Sequence, residues 1–234
     1  KREYSYEMKD EPAKQFLEPL LNISKQYDRS VGFFTGEALV HWGTSLYRIV
    51  QKEDYKVRLI ISVLLINNKD IELLENYLNQ KEDKKFDDWL SRKADDILRD
   101  AFNASKNCDL QMRRKILAWL ITNNKLEIRI AQPCHHINAG KHHTKNGIIY
   151  LEDGDNVSFR GSLNETYAGW STSGDEIMTF CSWRSDEQLN DVNNHKKKFN
   201  ALWNSCDADS SEYPGVRIKS INRDTMKLIK EHSR

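Results

Sequence analysis

The sequence predicts an α/β protein in which a mixed sheet is flanked by helices, and three observations lead to this fold class. A strand, helix, strand succession fills residues 30–65, which is the pattern of a crossover unit. Helical periodicity dominates the middle third, and a hairpin is indicated at 147–159. The chain has 234 residues, 38% of them hydrophobic, and no low-complexity linker divides it. We therefore expect a single domain over residues 1–234.

The N-terminal half is predicted to begin with a helix over 13–26, where apolar residues recur at the spacing of one helix face. A short strand at 30–34 and a helix over 39–49 follow. The run 57–65 consists almost entirely of β-branched residues and leucine, which suits a strand covered on both faces. Two helical stripes come next, with a turn at 103–108 between them. The first contains Phe86, Trp89, Leu90, Ile97 and Leu98, and the second contains Ile116, Leu117 and Leu120.

Strands dominate the second half of the predicted fold. Residues 126–130 alternate between apolar and charged side chains, which indicates a half-exposed strand. Two further strands flank Asp153-Gly154-Asp155, and the glycine supplies the positive φ that a hairpin turn needs. The remaining predicted elements are a strand at 176–183, a helix from 186 past 203, and a short amphipathic tail at 225–232.

Composition excludes several classes of protein. The chain lacks any apolar run near the roughly 18 residues of a membrane span, and its N-terminal segment does not resemble a secretory leader, so we expect a cytoplasmic protein without a membrane partner. The four cysteines lie too far apart for a zinc ribbon. Net charge is only +1, and the basic clusters at 113–115 and 195–198 are interpreted as solvated helix faces. Because the chain starts at Lys1, we expect a fragment of a longer protein.

Four of the seven histidines lie between residues 134 and 145, so polar chemistry is concentrated there. One interpretation is a zinc site formed by Cys134, His135, His142 and His143. However, close C-x₂-C pairing and helical H-x₃-H pairing are both missing, and adjacent histidines do not readily turn to one ion. We therefore expect no metal at this segment.

A second interpretation begins with His143-Thr144-Lys145, placed just before a predicted strand. In extended backbone, residues i and i+2 project to the same face, so an imidazole and an ammonium would lie side by side. Downstream, Ser162 and Asn164 share a face in the same way. Together these groups could bind a phosphate, with the imidazole as nucleophile or general acid and the others as donors to its oxygens.

His143-x-Lys145 followed by Gly161-Ser162-x-Asn164 resembles the motif of the phospholipase D superfamily. The stretch at 176–183 resembles the family strand whose glutamate holds the catalytic histidine, and we assign that role to Glu176. The segments 27–34 and 164–166 are similar to the nuclease modules fused to superfamily 2 helicases in bacterial restriction enzymes, so the resemblance spans roughly residues 14–205. One departure is Tyr150, which stands where the longest form of the motif has an aspartate.

The resemblance implies a phospholipase D-like fold with one half-site per chain, and a metal-independent endonuclease that needs no cofactor. The implied catalytic residues are His143, Lys145, Asn164 and Glu176, with Ser162, Lys145 and Asn164 binding the substrate. The family's reaction uses two histidines, one as nucleophile and one as acid, whereas this chain carries one motif. A homodimer is therefore implied. The other implied partners are DNA, a covalently linked helicase or ATPase, and a DNA-recognition domain of a restriction or phage-defence enzyme.

Other interpretations stay open at this point. The same superfamily contains phospholipases, so a lipid phosphodiesterase is one alternative. A second is a DNA-binding or dimerisation module that has lost catalysis, although the presence of all four catalytic residue types argues against it. Among individual residues, Glu165 could cap the helix after the loop, and Trp170 and Trp183 are expected in the core.

Overall fold

Seven strands form one mixed sheet in the computed structural model, which describes residues 12–32, 34, 36–62, 88, 92, 96, 108–133, 145–171, 176–205, 216–221 and 223–232. The spatial order of the strands is β6-β5-β4-β1-β2-β3-β7. This confirms the expected α/β fold class with a mixed sheet. The strands are β1 Ser24–Val31, β2 Lys56–Ser62, β3 Leu126–Pro133, β4 Asn146–Leu151, β5 Asn156–Gly161, β6 Ile177–Cys181 and β7 Val216–Ser220.

Helices flank this sheet. A π-helical turn and a 3-10 helix each lead into a short α-helix, and longer helices follow later in the chain. The π turn is Ala13–Leu17 and the 3-10 helix is Gly36–Trp42. The α-helices are α1 Glu18–Leu21, α2 Ser45–Gln51, α3 Cys108–Thr122, α4 Tyr167–Ser171, α5 Asp186–Asn204 and α6 Arg223–His232. Within the part of the chain that the structure describes, none of these helices combines the length and apolar character needed to cross a membrane.

Strand directions bring four strand ends to one edge of the sheet. β1, β2 and β3 are mutually parallel, as the strand, helix, strand pattern predicts. β4 runs antiparallel to both β1 and β5, and β6 runs antiparallel to β5. Therefore β1 and β5 end where β4 and β6 begin. We call this side the upper edge of the sheet.

The core lies on both faces of the sheet. On one face, the π turn, α1, the 3-10 helix and α3 pack against the strands, and Phe16, Trp42, Leu117 and Phe159 are buried there. On the other face, α5 buries Phe199, Leu202 and Trp203 against a second cluster of strand residues. Successive strand residues alternate between these faces, as the burial of Leu59 in the first cluster and Ile60 in the second illustrates.

The N-terminal prediction was wrong in its boundaries. The helix expected over 13–26 ends at Leu21, and the strand expected at 30–34 starts at Ser24. The start of the strand is hard to predict because its residues are polar. Ser24, Asp28, Arg29 and Ser30 are all buried in β1, although residues of these types are usually exposed. The expected helix over 39–49 is interrupted at Gly43, whose φ is +51°.

Later elements match the sequence more closely. The hairpin is confirmed, with Gly154 at φ +94°, and β3 shows the expected alternation of buried and exposed residues. The helix at 186–203 and the amphipathic tail are confirmed as α5 and α6. β7 was missed by the sequence analysis. The stripe from Phe86 to Leu98 lies outside the described residues, apart from isolated helical positions. Residues 103–107 of the expected turn also lie outside them, and Cys108 is the first residue of α3.

His195 of α5 is a buried titratable group between the helix and the sheet. Its ring is only 7% exposed, lies edge-on to Phe180 with 5.1 Å between centroids, and Nδ1 is 2.8 Å from the Ser158 hydroxyl. Burial lowers the pKa of His195, and the positive charges of Arg160 and Lys198 lower it further, while Asp191 opposes them. The native state therefore favours the neutral form of this imidazole.

This burial predicts a pH-dependent loss of stability. Below the ordinary histidine pKa of 6.5, the unfolded chain binds a proton at His195 before the native state does, so the free energy of unfolding falls as the pH drops. We expect urea denaturation from pH 7.5 to 5.5 to show a steeper decline for the parent protein than for His195→Gln. Parallel declines in the two proteins would contradict the prediction.

Candidate active site

Residues assigned from the sequence motifs converge on the upper edge. Lys145 immediately precedes β4, Ser162 follows the end of β5, and Glu176 immediately precedes β6. β4 and β6 are the two neighbours of β5, so the topology brings these three positions to adjacent strand ends. A hairpin and a helix lie between Lys145 and Glu176 in the sequence, but the pairing of β4 and β6 with β5 brings the two residues to neighbouring strand ends.

Backbone hydrogen bonds hold these segments together. The Gly161 N–H donates to the Lys145 carbonyl oxygen at 3.1 Å, and the Ser162 N–H donates to the Glu176 carbonyl oxygen at 3.1 Å. The Glu176 N–H in turn donates to Ser162 Oγ at 3.2 Å. Ser162 therefore joins β5 to β6 through its side chain as well as its backbone, in addition to the substrate-binding role predicted for it.

The glycine of the G-S-x-N motif is explained by the approach of β6. A Cβ atom on Gly161 would lie 1.9 Å from the carbonyl oxygen of Glu176, far inside van der Waals contact. Any larger residue would push the start of β6 away from the end of β5. The absence of a side chain at 161 thus brings Ser162 and Glu176 within hydrogen-bonding distance.

Glu165 anchors the loop that carries Asn164. Its carboxylate is fully buried and accepts hydrogen bonds from Tyr27 Oη at 3.2 Å, Arg29 Nε at 3.0 Å and Trp42 Nε1 at 3.1 Å. The interpretation of Glu165 as a helix cap is therefore wrong. Thr166 caps α4 instead, because its Oγ1 accepts from the Gly169 N–H at 3.0 Å.

Burial and aromatic packing define the electrostatics around this carboxylate. The Arg29 and Glu165 side chains are 1% and 0% exposed, so their charges interact in a poorly screened environment. The Arg29 guanidinium lies 4.9 Å from the ring centroid of Phe159 and 5.8 Å from that of Trp170. Burial, followed by the Glu165 carboxylate, raises the pKa of Tyr27 well above its usual value, so the phenol stays protonated and donates.

The described part of the upper edge presents an ammonium, a hydroxyl, an amide and a carboxylate. Lys145 is buried at 7% exposure, Asn164 is half-buried, and Ser162 and Glu176 are exposed. The ammonium, the hydroxyl and the amide can donate to phosphate oxygens, and the carboxylate can accept from an imidazole and so orient it. His143 lies outside the described residues, so its role stays a prediction.

The zinc interpretation is also untested, because Cys134, His135, His142 and His143 all lie outside the described residues. Among the residues that the structure does describe, histidine, cysteine and carboxylate side chains form no cluster of metal-binding size. The predictions for the tryptophans are confirmed, since Trp170 is fully buried and Trp183 packs against the core.

Tyr150, which stands where the longest motif has an aspartate, lies on the α5 face of the sheet. It is half-buried, and burial followed by the Asp28 carboxylate raises its pKa. The Lys196 ammonium is 5.2 Å from its ring centroid. Tyr150 therefore belongs to the packing between helix and sheet.

Sequence analysis missed the residues that support the loop, namely Tyr27, Arg29 and Trp42. The resemblance at 27–34 covers Tyr27 and Arg29 without assigning them a role, and Trp42 lies in the helix predicted over 39–49. An arginine inside a buried strand requires a buried acceptor, but the strand predicted from the sequence begins at residue 30 and leaves Arg29 outside it. The sequence alone did not identify Glu165, 136 positions away from Arg29, as that acceptor.

Gly161→Ala should disrupt the junction between β5 and β6. We expect a loss of about 3 kcal/mol in the free energy of unfolding, because backbone atoms must move to admit the new methyl group. Amide hydrogen exchange at Ser162 and Glu176 should accelerate strongly.

Gly154→Ala is the matched control, since its Cβ meets no atom within 4 Å and its φ of +94° imposes only backbone strain. That strain should cost about 1–2 kcal/mol and leave exchange at the upper edge unchanged. Equal effects of the two substitutions on exchange at Ser162 and Glu176 would contradict the steric explanation.

Comparisons with known proteins identify no family for this chain. No protein-family model matches it, and no curated protein matches it. Among solved structures, it is similar to NucT from Helicobacter pylori, with 14% sequence identity and a TM-score of 0.40. The match covers 83% of this chain and 91% of that one. A likeness this distant carries no argument about chemistry, so the function must be inferred from the residues of this molecule.

Proposed function

We propose that this protein is a metal-independent endonuclease that hydrolyses DNA phosphodiesters through a phosphohistidine intermediate. The observation that supports the proposal is the convergence of Lys145, the Ser162–Asn164 loop and Glu176 on the upper edge, together with the presence of His143 two positions before Lys145 in the sequence. An anion-binding set next to a histidine is what in-line phosphoryl transfer requires. The H-x-K and G-S-x-N motifs supply the resemblance to phospholipase D-type nucleases.

In the proposed reaction, a ring nitrogen of His143 attacks phosphorus and the bond to the leaving oxygen breaks. A second imidazole gives its proton to that oxygen. Water then attacks phosphorus, the P–N bond breaks, and the water's proton passes to the second imidazole, which regenerates both groups. Lys145 and Asn164 stabilise the charge on the non-bridging oxygens, and Glu176 accepts from the other nitrogen of His143.

The second imidazole comes from a second copy of the chain in this proposal. One chain carries one H-x-K motif, and a two-fold axis beside His143 would place two such motifs on opposite sides of one phosphate. The exposure of Ser162 and Glu176 is compatible with substrate and a second subunit approaching this edge. We also propose that the chain is the nuclease module of a larger restriction or phage-defence enzyme with a helicase and a DNA-recognition domain.

Removing the nucleophile or its neighbouring ammonium should abolish DNA cleavage. His143→Ala and Lys145→Met should each lower kcat by roughly 10²–10⁴-fold or more, because they remove proton transfer and charge stabilisation. We choose methionine at 145 because Lys145 is buried and an alanine would leave a cavity. Lys197→Ala, at an exposed position on α5, should retain parental activity.

The assay uses plasmid and single-stranded DNA in the presence of EDTA, with circular dichroism to monitor folding. A His143→Ala protein that cut at a tenth of the parental rate would contradict its assignment. Loss of activity in EDTA together with stoichiometric zinc would favour the metal interpretation. Turnover of phosphatidylcholine would favour the lipid alternative, and binding of DNA without cleavage would favour a non-catalytic module.

The proposed shared site predicts a symmetric dimer. The two His143 rings should lie within roughly 5–8 Å of each other, since one phosphate must fit between an attacking and a protonating nitrogen. Light scattering should therefore give twice the chain mass at every concentration that supports cleavage. A monomer that still cleaves DNA would rule out a site shared by two subunits.

A further inference from the structure

The Arg29 guanidinium donates hydrogen bonds to the two residues that flank Asn164 in the sequence. Arg29 Nη2 donates to the Leu163 carbonyl oxygen at 2.5 Å, and Nε donates to Glu165 Oε2 at 3.0 Å. We infer that Arg29 is a positioning residue, which sets the location of the Asn164 amide through hydrogen bonds to the residues on either side of it. This inference rests on the proposed function, in which Asn164 stabilises the phosphoryl oxygens.

The geometry requires arginine. The guanidinium is a planar fork whose separated N–H groups can reach two acceptors in fixed directions, whereas a lysine ammonium is a single point of charge. The rings of Phe159 and Trp170 contact this group and restrict its orientation. Since the side chain is only 1% exposed, water cannot readily substitute for either hydrogen bond.

Other contacts fix the loop from further directions. Tyr27 and Trp42 also donate to the Glu165 carboxylate, so this side chain is bound to β1 and to the 3-10 helix. On the α4 side, a Cβ atom on Gly169 would lie 2.4 Å from the Asn164 carbonyl oxygen, which shows how closely the helix approaches the loop. The backbone of Asn164 is thus confined between the sheet and α4.

Stability alone does not account for this arrangement. A buried ion pair generally contributes little net stability, because desolvation of both charges offsets their attraction, and apolar residues of similar volume often serve equally well. The direction of the two Arg29 hydrogen bonds, toward the residues before and after Asn164, instead indicates a role in placing that amide.

A second ion pair, between Arg58 of β2 and Asp28 of β1, provides a control on the opposite face of the sheet. Arg58 donates from Nε and Nη2 to the Asp28 carboxylate at 2.8 and 2.5 Å, and its guanidinium lies 5.1 Å from the Phe199 ring centroid. Asp28 is fully buried, as Glu165 is. This pair joins β1 to β2 and, through Asn200, to α5, and it lies on the opposite face of the sheet from Arg29.

The experiment compares Arg29→Lys with Arg58→Lys in the full chain. Both variants keep the positive charge but lack the planar guanidinium, so we expect urea denaturation to give a lower free energy of unfolding for both than for the parent protein. Only Arg29→Lys should lower kcat for DNA, by about 10- to 100-fold, with KM within about threefold of the parent, because a misplaced amide impairs the transition state. Glu165→Gln, which keeps an acceptor for Trp42, is a second variant and should act in the same direction.

A double-variant cycle separates positioning from general damage. If Arg29 acts through Asn164, adding Arg29→Lys to Asn164→Ala should lower kcat by less than about threefold further. Independent, multiplicative losses would overturn the inference, as would equal kcat values for Arg29→Lys and Arg58→Lys.

Hydrogen exchange of the amides at 162–166 distinguishes this inference from the proposed function. These amides should exchange faster in Arg29→Lys and remain as in the parent in Arg58→Lys. If the parent protein does not cut DNA, the proposed function fails, and the exchange data alone decide whether Arg29 holds the loop. Unchanged exchange in Arg29→Lys would overturn the inference whether or not the protein is a nuclease.

Discussion

The buried contact between Arg29 and Glu165 joins the loop of the candidate site to the centre of the sheet. Arg29 lies in β1, the strand between the parallel and antiparallel parts of the sheet, and Glu165 lies two strands away in the loop after β5. Neither charge is accessible to water, so each depends on the other and on the donors Tyr27 and Trp42. Breaking this contact would leave an uncompensated buried charge, which is far more costly than losing an exposed pair.

The order of the strands explains why the site forms at the upper edge. A purely parallel sheet would bring only strand ends to that edge, whereas the antiparallel β4 and β6 also bring strand beginnings there. Lys145 and Glu176 can therefore flank Ser162 although they belong to different hairpins. Because the residues at strand ends are held by the ladder hydrogen bonds of the neighbouring strands, the backbone of the site is fixed where it meets the sheet.

β1 carries two polar networks on its two faces, and they serve different purposes. Arg29 faces the π turn and the 3-10 helix and reaches the loop, while Asp28 faces α5 and pairs with Arg58. The second network continues into α5 through Trp203, whose ring lies 5.2 Å from Arg58 and 4.1 Å from Arg129. Burying charged residues on both faces of a central strand costs free energy unless every charge has a partner. The partners of these charges therefore connect β1 to helices on both faces of the sheet.

Elements whose signals are local can be predicted from the sequence. Periodicity and turn chemistry located the hairpin around Gly154, the alternating strand β3 and the helix α5. Motif spacing grouped Lys145 with Ser162 and Asn164, and the family resemblance added Glu176. Features that depend on contacts between distant residues appear only in the folded chain: β1 begins at Ser24 despite its polar composition, β7 pairs with β3, and Glu165 binds Arg29 while Thr166 caps α4. The physical reason is that a buried polar residue is acceptable only when its partner is present, and the partner of Arg29 comes from the opposite half of the chain.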